Sequence, residues 1–104
     1  MSIFTQIINR ELPANILYED DKVIAFYDIK PVQPGHFLVV PKREASSLLE
    51  NTEEEISYAF NIARKLAIEE MKRQDAPAFK MVVNTGKEAG QVVFHTHIHI
   101  IPYK

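Results

Sequence analysis

Five short apolar runs are the first feature of this chain, and each is bounded by proline, glycine or acidic turn residues. Their length and their alternating or continuous apolar character predict β-strands, which cover residues 16–19, 22–27, 36–40, 78–83 and 92–101. Asp20 and Asp21 separate the first two runs, so we expect a hairpin there. Strands that follow one another through short turns favour an antiparallel sheet.

Two segments instead show helical spacing of their apolar residues. Residues 3–10 follow Ser2, a good N-cap residue, and Leu12-Pro13 ends the segment. The inner side of this short helix is expected to carry Ile3, Phe4, Ile7 and Ile8. A long helix is predicted over residues 53–73, where Thr52 and Glu55 form a capping box. Its apolar stripe comprises Ile56, Ala59, Phe60, Ala63, Leu66, Ala67 and Met71.

These elements predict an α+β fold in one domain, residues 1–104, with a five-stranded antiparallel sheet packed on one long and one short helix. A net charge of −2 gives no electrostatic case for nucleic-acid binding. The absence of cysteine excludes disulfides and thiolate metal sites. Neither a signal peptide nor an apolar run of about 20 residues is present, so we expect a cytoplasmic protein without membrane contact.

Three of the four histidines, His95, His97 and His99, alternate along the last predicted strand. Side chains two residues apart share one face of a strand, at a spacing of about 6.5–7 Å. We therefore expect three imidazoles on one side and a mostly apolar core-facing side, formed by Val92, Phe94, Thr96, Ile98 and Ile100. Imidazole titrates near neutrality and can act as a nucleophile, base or acid.

Three interpretations of this strand compete. The histidines could be exposed structural residues. They could also bind a metal, although the first and third would lie about 13 Å apart, too far to share one ion without a bend. The third interpretation, which we favour, is nucleophilic attack on phosphorus by the central imidazole. An upstream backbone carbonyl would then fix its tautomer, and neighbouring donors would stabilise the phosphate charge.

The residues from His95 to Ile101 resemble the histidine triad signature, His-φ-His-φ-His-φ-φ with φ apolar, and Thr96 is the one polar φ. Further blocks resemble the same family in order and spacing, at residues 3–14, 26–31, 35–42, 81–86 and 90–91. The chain is thus similar to the small, Hint-type branch of the histidine triad (HIT) nucleotide hydrolases. This resemblance implies a HIT-like fold and a two-fold homodimer with the long helix at the interface.

The resemblance also implies roles for individual residues. His97 would be the nucleophile that attacks the α-phosphorus of a nucleotide, while His99 holds a phosphate oxygen. His95 would shape the site, and His36 would lie behind the triad as a supporting partner. Asp28 lies where the family binds ribose hydroxyls, and we favour this role over the alternative that the carboxylate only caps its loop.

The remaining implied site residues form two groups. Polar and glycine residues of the phosphate pocket correspond to Asn84, Gly90 and Gln91, although Asn84 could serve only as a turn former. The apolar slot for a purine corresponds to Phe4, Ile7, Leu12, Phe26 and Ile29, which could also be plain core. Two positions depart from the family: Val92 replaces a common hydroxyl residue, and Glu44 stands where some relatives have histidine.

The implied activity is hydrolysis of a nucleoside 5′-monophosphate from a leaving group, as in an adenosine phosphoramidate, through a covalent nucleotidyl-histidine. The purine nucleotide is then the small-molecule partner, and the scheme requires neither a cofactor nor a metal. Two alternatives remain: a diadenosine polyphosphate hydrolase, and a nucleotide-binding regulatory protein with little activity.

Overall fold

The computed structural model describes all residues 1–104 and contains two α-helices, two short 3₁₀ helices and five strands. The α-helices are α1 (Ile3–Ile8) and α2 (Glu53–Gln74). The strands are β1 (Ile16–Glu19), β2 (Val23–Tyr27), β3 (Phe37–Pro41), β4 (Ala78–Val82) and β5 (Ile98–Tyr103). None of the helices combines the length and the apolar character needed to cross a membrane.

The five strands form one sheet in the order β1-β2-β3-β5-β4, and every neighbouring pair is antiparallel. The predicted hairpin of β1 and β2 is present, with Glu19 paired to Ile24. The predicted α+β class, the five-stranded antiparallel sheet and the two helices are therefore confirmed.

Helix α2 begins at the predicted capping box. The Thr52 hydroxyl accepts the Glu55 N–H at 3.1 Å, and the Glu55 carboxylate accepts the Thr52 N–H at 2.9 Å. The helix ends at Asp75, whose left-handed backbone closes the last turn. Its buried face differs in part from the predicted stripe, because it includes Ile62 and the carboxylate of Glu70, whereas the predicted Ile56, Phe60 and Met71 are only half-buried.

The sheet has a different helix on each face, because alternate residues of a strand point to opposite sides. The α2 face buries Val23, Ala25, Phe37, Val39, Ile98 and Ile100. The α1 face buries Ile24, Phe26, Leu38 and Val40 against Phe4 and Ile7 of α1. His99 lies between Ile98 and Ile100 and pairs with Leu38, so its side chain belongs to the α1 face.

Helix α1 ends at Ile8, two residues earlier than predicted, and Arg10 has a positive φ of 63° that cannot continue a right-handed helix. Phe4 and Ile7 are buried as expected, but Ile3 is 50% exposed. The inner side of α1 is therefore narrower than the sequence pattern predicted.

The histidine segment is not the continuous strand that we predicted over residues 92–101, since β5 begins only at Ile98. Continuing the β3–β5 register would place Thr96 opposite Pro41, and proline has no N–H to donate to the ladder. Val92 and Phe94 are 84% and 50% exposed, so the expectation that they face the core is wrong. His95 and His97 therefore occupy an irregular segment that leads into β5.

Candidate active site

His97 presents one free ring nitrogen to a cavity. Its Nδ1 lies 2.7 Å from the His95 carbonyl oxygen, which can only accept, so Nδ1 carries the proton. Its Nε2 has no hydrogen-bond partner in the protein. Every fully buried side-chain nitrogen or oxygen does have one, so Nε2 is not fully buried and remains accessible. Burial lowers the pKa of His97 below the usual 6.5, so the ring is neutral at pH 7. Nε2 of His97 therefore carries an unprotonated lone pair.

His99 presents the opposite tautomer. The backbone N–H of Val32 donates to Nδ1 of His36 at 3.1 Å, which leaves the proton of the neutral His36 ring on Nε2. That Nε2 lies 3.0 Å from Nδ1 of His99, so His99 accepts at Nδ1 and carries its own proton on Nε2. Burial and the neighbouring imidazoles lower the pKa of His99 to about 4. The free atom of His99 is therefore a neutral N–H donor.

Gly35 allows His36 to reach this position. Its φ of +88° favours glycine, and an added Cβ would lie 2.7 Å from Cγ of Gln74 on α2. The buried carboxylate of Glu70 lies against the same point and accepts hydrogen bonds from Tyr27 and Gln74 at 2.8 Å each. The turn before His36 is therefore packed directly on α2.

His95 does not share the cavity with the other two histidines. Its ring is fully buried, its Nε2–H donates to the Pro41 carbonyl at 2.7 Å, and its Nδ1 faces the Ser2 hydroxyl at 2.7 Å. The expected shared side is present, because the rings of His95 and His97 pack against Phe4 of α1 at centroid distances of 5.8 and 4.9 Å, and His99 lies on the same face of the sheet. Of the three rings, only those of His97 and His99 line the cavity. His97 and His99 do lie together, with their ring centroids 4.9 Å apart.

The cavity beside His97 and His99 has a volume of about 470 Å³, which lies in the range of small-molecule sites. Its lining includes all five residues predicted for the purine slot, Phe4, Ile7, Leu12, Phe26 and Ile29. The polar or glycine residues of the lining are Asp28, Asn84, Gly90, His97 and His99. Residues that were not among the predicted site residues also line it, namely Ile3, Pro13, Ala14, Tyr27, Leu38, Val92 and Val93.

Asp28 caps its loop and also lines the cavity. Its Oδ1 accepts the N–H of Lys30 at 2.9 Å, which caps the loop, while Oδ2 lies 3.5 Å from Nε2 of His36. The side chain is 20% exposed and lines the cavity. A loop-capping function therefore does not prevent Asp28 from meeting a ligand.

Gln91 is placed differently from the prediction. Its side-chain oxygen accepts the Gly86 N–H at 2.8 Å, and its NH₂ group donates to the carbonyls of Ser46 and Val93 at 2.7 and 3.0 Å. With these groups engaged it does not line the cavity, so the expectation of a direct pocket role is wrong. Gln91 instead holds the loop that ends at Gly90, where φ is +94°.

Asp28, His36 and His99 are the group that could hold a metal ion, since one ligand atom of each lies within 4.8 Å of the others. A histidine ligand must offer a lone pair. Nε2 of His36 carries the proton and so offers no lone pair. Moving that proton to Nδ1 would make Nδ1–H face the N–H of Val32, which already donates to Nδ1. The observed hydrogen bonds therefore favour a proton-ordering relay over metal coordination.

Glu44 is a residue whose contacts the sequence did not reveal. It accepts hydrogen bonds from Ser2 and Thr5, beside the buried ring of His95. The spacing of Ser2 and Thr5 indicates only a helix cap, and no local pattern connects either residue with a position about 40 residues away.

Comparison with known proteins agrees with this geometry. Residues 9–104 match the HIT domain family. A HIT-like protein of Mesomycoplasma hyorhinis is 50% identical over 101 residues, which cover 97% of this chain and 91% of that protein.

Two solved structures have the same fold. A hypothetical histidine triad nucleotide-binding protein from Sulfolobus tokodaii superposes with a TM-score of 0.95 at 38% identity, covering 97% of this chain and 68% of that chain. A HIT family hydrolase from Legionella pneumophila has a TM-score of 0.88 at 28% identity, covering 100% of this chain and 94% of that chain.

Proposed function

Because this chain belongs to the HIT domain family, we propose that it is a hydrolase that releases a nucleoside 5′-monophosphate from an adenosine phosphoramidate-like substrate. One observation carries the proposal. Two adjacent neutral imidazoles expose opposite functions to one cavity, a lone pair on Nε2 of His97 and an N–H on Nε2 of His99. A nucleophile beside a fixed donor suits displacement at a phosphate.

The reaction proceeds through two displacements. Nε2 of His97 attacks the α-phosphorus, the P–N bond breaks, and the amine leaves with that electron pair and a proton from solvent. Nδ1–H donates to the His95 carbonyl throughout and stabilises the positive charge that the attacking ring acquires. Water then attacks phosphorus and loses one proton to solvent, the P–Nε2 bond breaks with its electron pair returning to Nε2, and AMP is released as neutral His97 is regenerated.

His99 and the neighbouring loop stabilise the phosphate during both steps. The N–H of His99 donates to a non-bridging oxygen, and the backbone at Gly90 approaches the phosphate without steric hindrance. Val92 offers no hydroxyl, so this position does not protonate the leaving amine.

The shape of the cavity supports a purine nucleoside as the rest of the substrate. Phe4 and Phe26 line the cavity with their ring centroids 5.5 Å apart, and Asp28 lines the same cavity as His97 and His99. A carboxylate that accepts from a ribose diol makes charge-assisted hydrogen bonds, which are stronger than neutral ones. The nucleotide-binding relative from Sulfolobus tokodaii is consistent with this proposal.

The covalent intermediate provides the direct test. Wild-type protein is mixed with an adenosine phosphoramidate labelled at phosphorus, quenched in base within one turnover, and digested. We expect a transient nucleotidyl adduct on the peptide of residues 88–104, with fragmentation placing it on His97 rather than on His95 or His99. AMP release without any adduct, or an adduct on another residue, contradicts the proposed route.

The pH dependence follows from the protonation state of the nucleophile. His97 must be neutral to attack, so activity falls as the pH drops through its pKa. Burial lowers that pKa below 6.5, and the pKa of His99 to about 4. We therefore expect kcat/KM, which reports the free enzyme, to be level near pH 7 and to fall only below 6.5. Rate profiles over about pH 4–8, with circular dichroism at each pH, check this. A half-maximal point above 6.5 argues against a buried neutral nucleophile.

We also propose that two copies of the chain form the homodimer implied by the resemblance. Strand β4 is at the edge of the sheet, with half-buried Phe79 and Met81, and Ile68 on the neighbouring α2 is 40% exposed. Unpaired strand edges and exposed apolar side chains are features of association surfaces.

A further inference from the structure

Glu44 lies outside the cavity but at the start of a continuous set of hydrogen bonds. Its Oε1 accepts the Thr5 hydroxyl at 2.6 Å and the backbone N–H of Ser2 at 2.8 Å. These two donors hold the pKa of Glu44 below its usual value, so it is a carboxylate at neutral pH. The terminal ammonium of Met1 lies 3.9 Å from its other oxygen. Glu44 thus contacts several groups around the first turn of α1.

The protons in this set can each be assigned. Because the Thr5 hydroxyl donates its single proton to Glu44, it cannot also donate to Nδ1 of His95, which is 3.4 Å away. The Ser2 hydroxyl accepts the N–H of Thr5 at 3.0 Å and gives its proton to that Nδ1 at 2.7 Å. The His95 ring therefore accepts at Nδ1 and donates from Nε2 to the carbonyl of Pro41.

His95, whose ring is held by these hydrogen bonds, also forms a hydrogen bond with the proposed nucleophile, His97. The His95 carbonyl accepts Nδ1–H of His97 at 2.7 Å. The N–H of the same peptide unit, that of Thr96, donates to the carbonyl of Ala45, the residue after Glu44, at 3.0 Å. No sheet ladder supports residues 95–97, so this hydrogen bond and those of the His95 ring together set the direction of the His95 carbonyl.

We propose that Glu44 is a positioning residue for His97. Acting through Ser2, Thr5 and His95, it aims the His95 carbonyl at Nδ1–H of His97 and so keeps the lone pair on Nε2 directed into the cavity. The inference rests on the proposed function only in taking His97 as the nucleophile, because the orientation of His97 can be measured without any reaction.

The test compares three variants with the wild type. Glu44→Ala removes both acceptor contacts, Glu44→Gln keeps an acceptor oxygen, and Glu54→Ala removes an exposed carboxylate from the first turn of α2 as a control. For an adenosine phosphoramidate we expect Glu44→Ala to lower kcat about tenfold with KM changed by less than about twofold, because misdirection of a reacting group affects the chemical step. Glu44→Gln and Glu54→Ala should stay within about twofold of the wild type.

Nitrogen-15 NMR of the histidine rings in substrate-free protein is the second readout. The wild type and Glu44→Gln should show His97 with its proton on Nδ1, whereas Glu44→Ala should show a mixture of the two tautomers. The proposal is overturned if Glu44→Ala keeps the wild-type tautomer, or if its KM rises as much as its kcat falls. Should the wild type release no AMP, the proposed function fails, and the NMR comparison still decides the role of Glu44.

A second pair of variants tests the proposal even if Glu44→Ala does not fold. Ser2→Ala deletes the donor to His95, and Ser2→Thr restores a hydroxyl at the same place in the helix cap. We expect tautomer mixing in the first variant and its reversal in the second. Equal His97 spectra in both variants would overturn the proposal.

Discussion

Replacing His97 with alanine is expected to reduce turnover of an adenosine phosphoramidate by about a thousandfold or more, the usual consequence of deleting a nucleophile. The affinity for AMP should change little, because the apolar slot and Asp28 lie on other elements of the fold. Steady-state rates of AMP release and calorimetric AMP titration measure the two quantities separately.

The control for this variant is His97→Asn, which keeps a polar side chain of similar size beside the His95 carbonyl. Asparagine cannot form the nucleotidyl intermediate, so the loss of turnover should be as large as in His97→Ala while the circular dichroism spectrum is preserved. Turnover within about tenfold of the wild type in either variant would refute the assignment of the nucleophile.

The second large effect is expected at His99. Deleting one preorganised donor to a developing anion typically costs about a hundredfold to a thousandfold in kcat, and His99→Ala removes such a donor from the phosphate. Single-turnover kinetics with the adenosine phosphoramidate should show the loss in the formation of the intermediate.

His36→Ala is the matched comparison, because it leaves the His99 ring in place but removes the donor that orders its tautomer. We expect a smaller loss of kcat than in His99→Ala, since half-ordered His99 still donates part of the time. If His36→Ala were the more damaging change, His36 would have a role beyond ordering, and the relay from Val32 to the phosphate would be incorrect.

Local interactions explain why much of the fold could be predicted from the sequence. The capping box of Thr52 and Glu55 involves residues three apart, and the β1–β2 hairpin forms across a turn of a few residues. The family resemblance added the residues of the apolar slot, which periodicity alone could not distinguish from core. The cavity does bring those five residues together, beside His97, His99 and Asp28.

The errors arose where distant segments determine the outcome. The alternation of residues 92–101 is a good strand pattern, yet Pro41, more than 50 positions earlier, gives no N–H to extend it. The family resemblance placed Gln91 in the pocket, and its actual partner Ser46 lies 45 residues away, beyond any local pattern. Glu44 was assigned no role for the same reason, since its contacts are 42 and 39 residues distant. Such pairings are set by tertiary structure, which no local window contains.

The close approach at Gly35 links the candidate active site to helix α2 on the opposite face of the sheet. A methyl group there would lie too close to the side chains of Gln74 and buried Glu70, although neither residue lines the cavity. Either the Gln74 side chain or the turn that carries His36 must then shift, and a shift of His36 would disturb the proton order of His99. A position without any side chain thus supports the choice of imidazole nitrogen that acts as a donor.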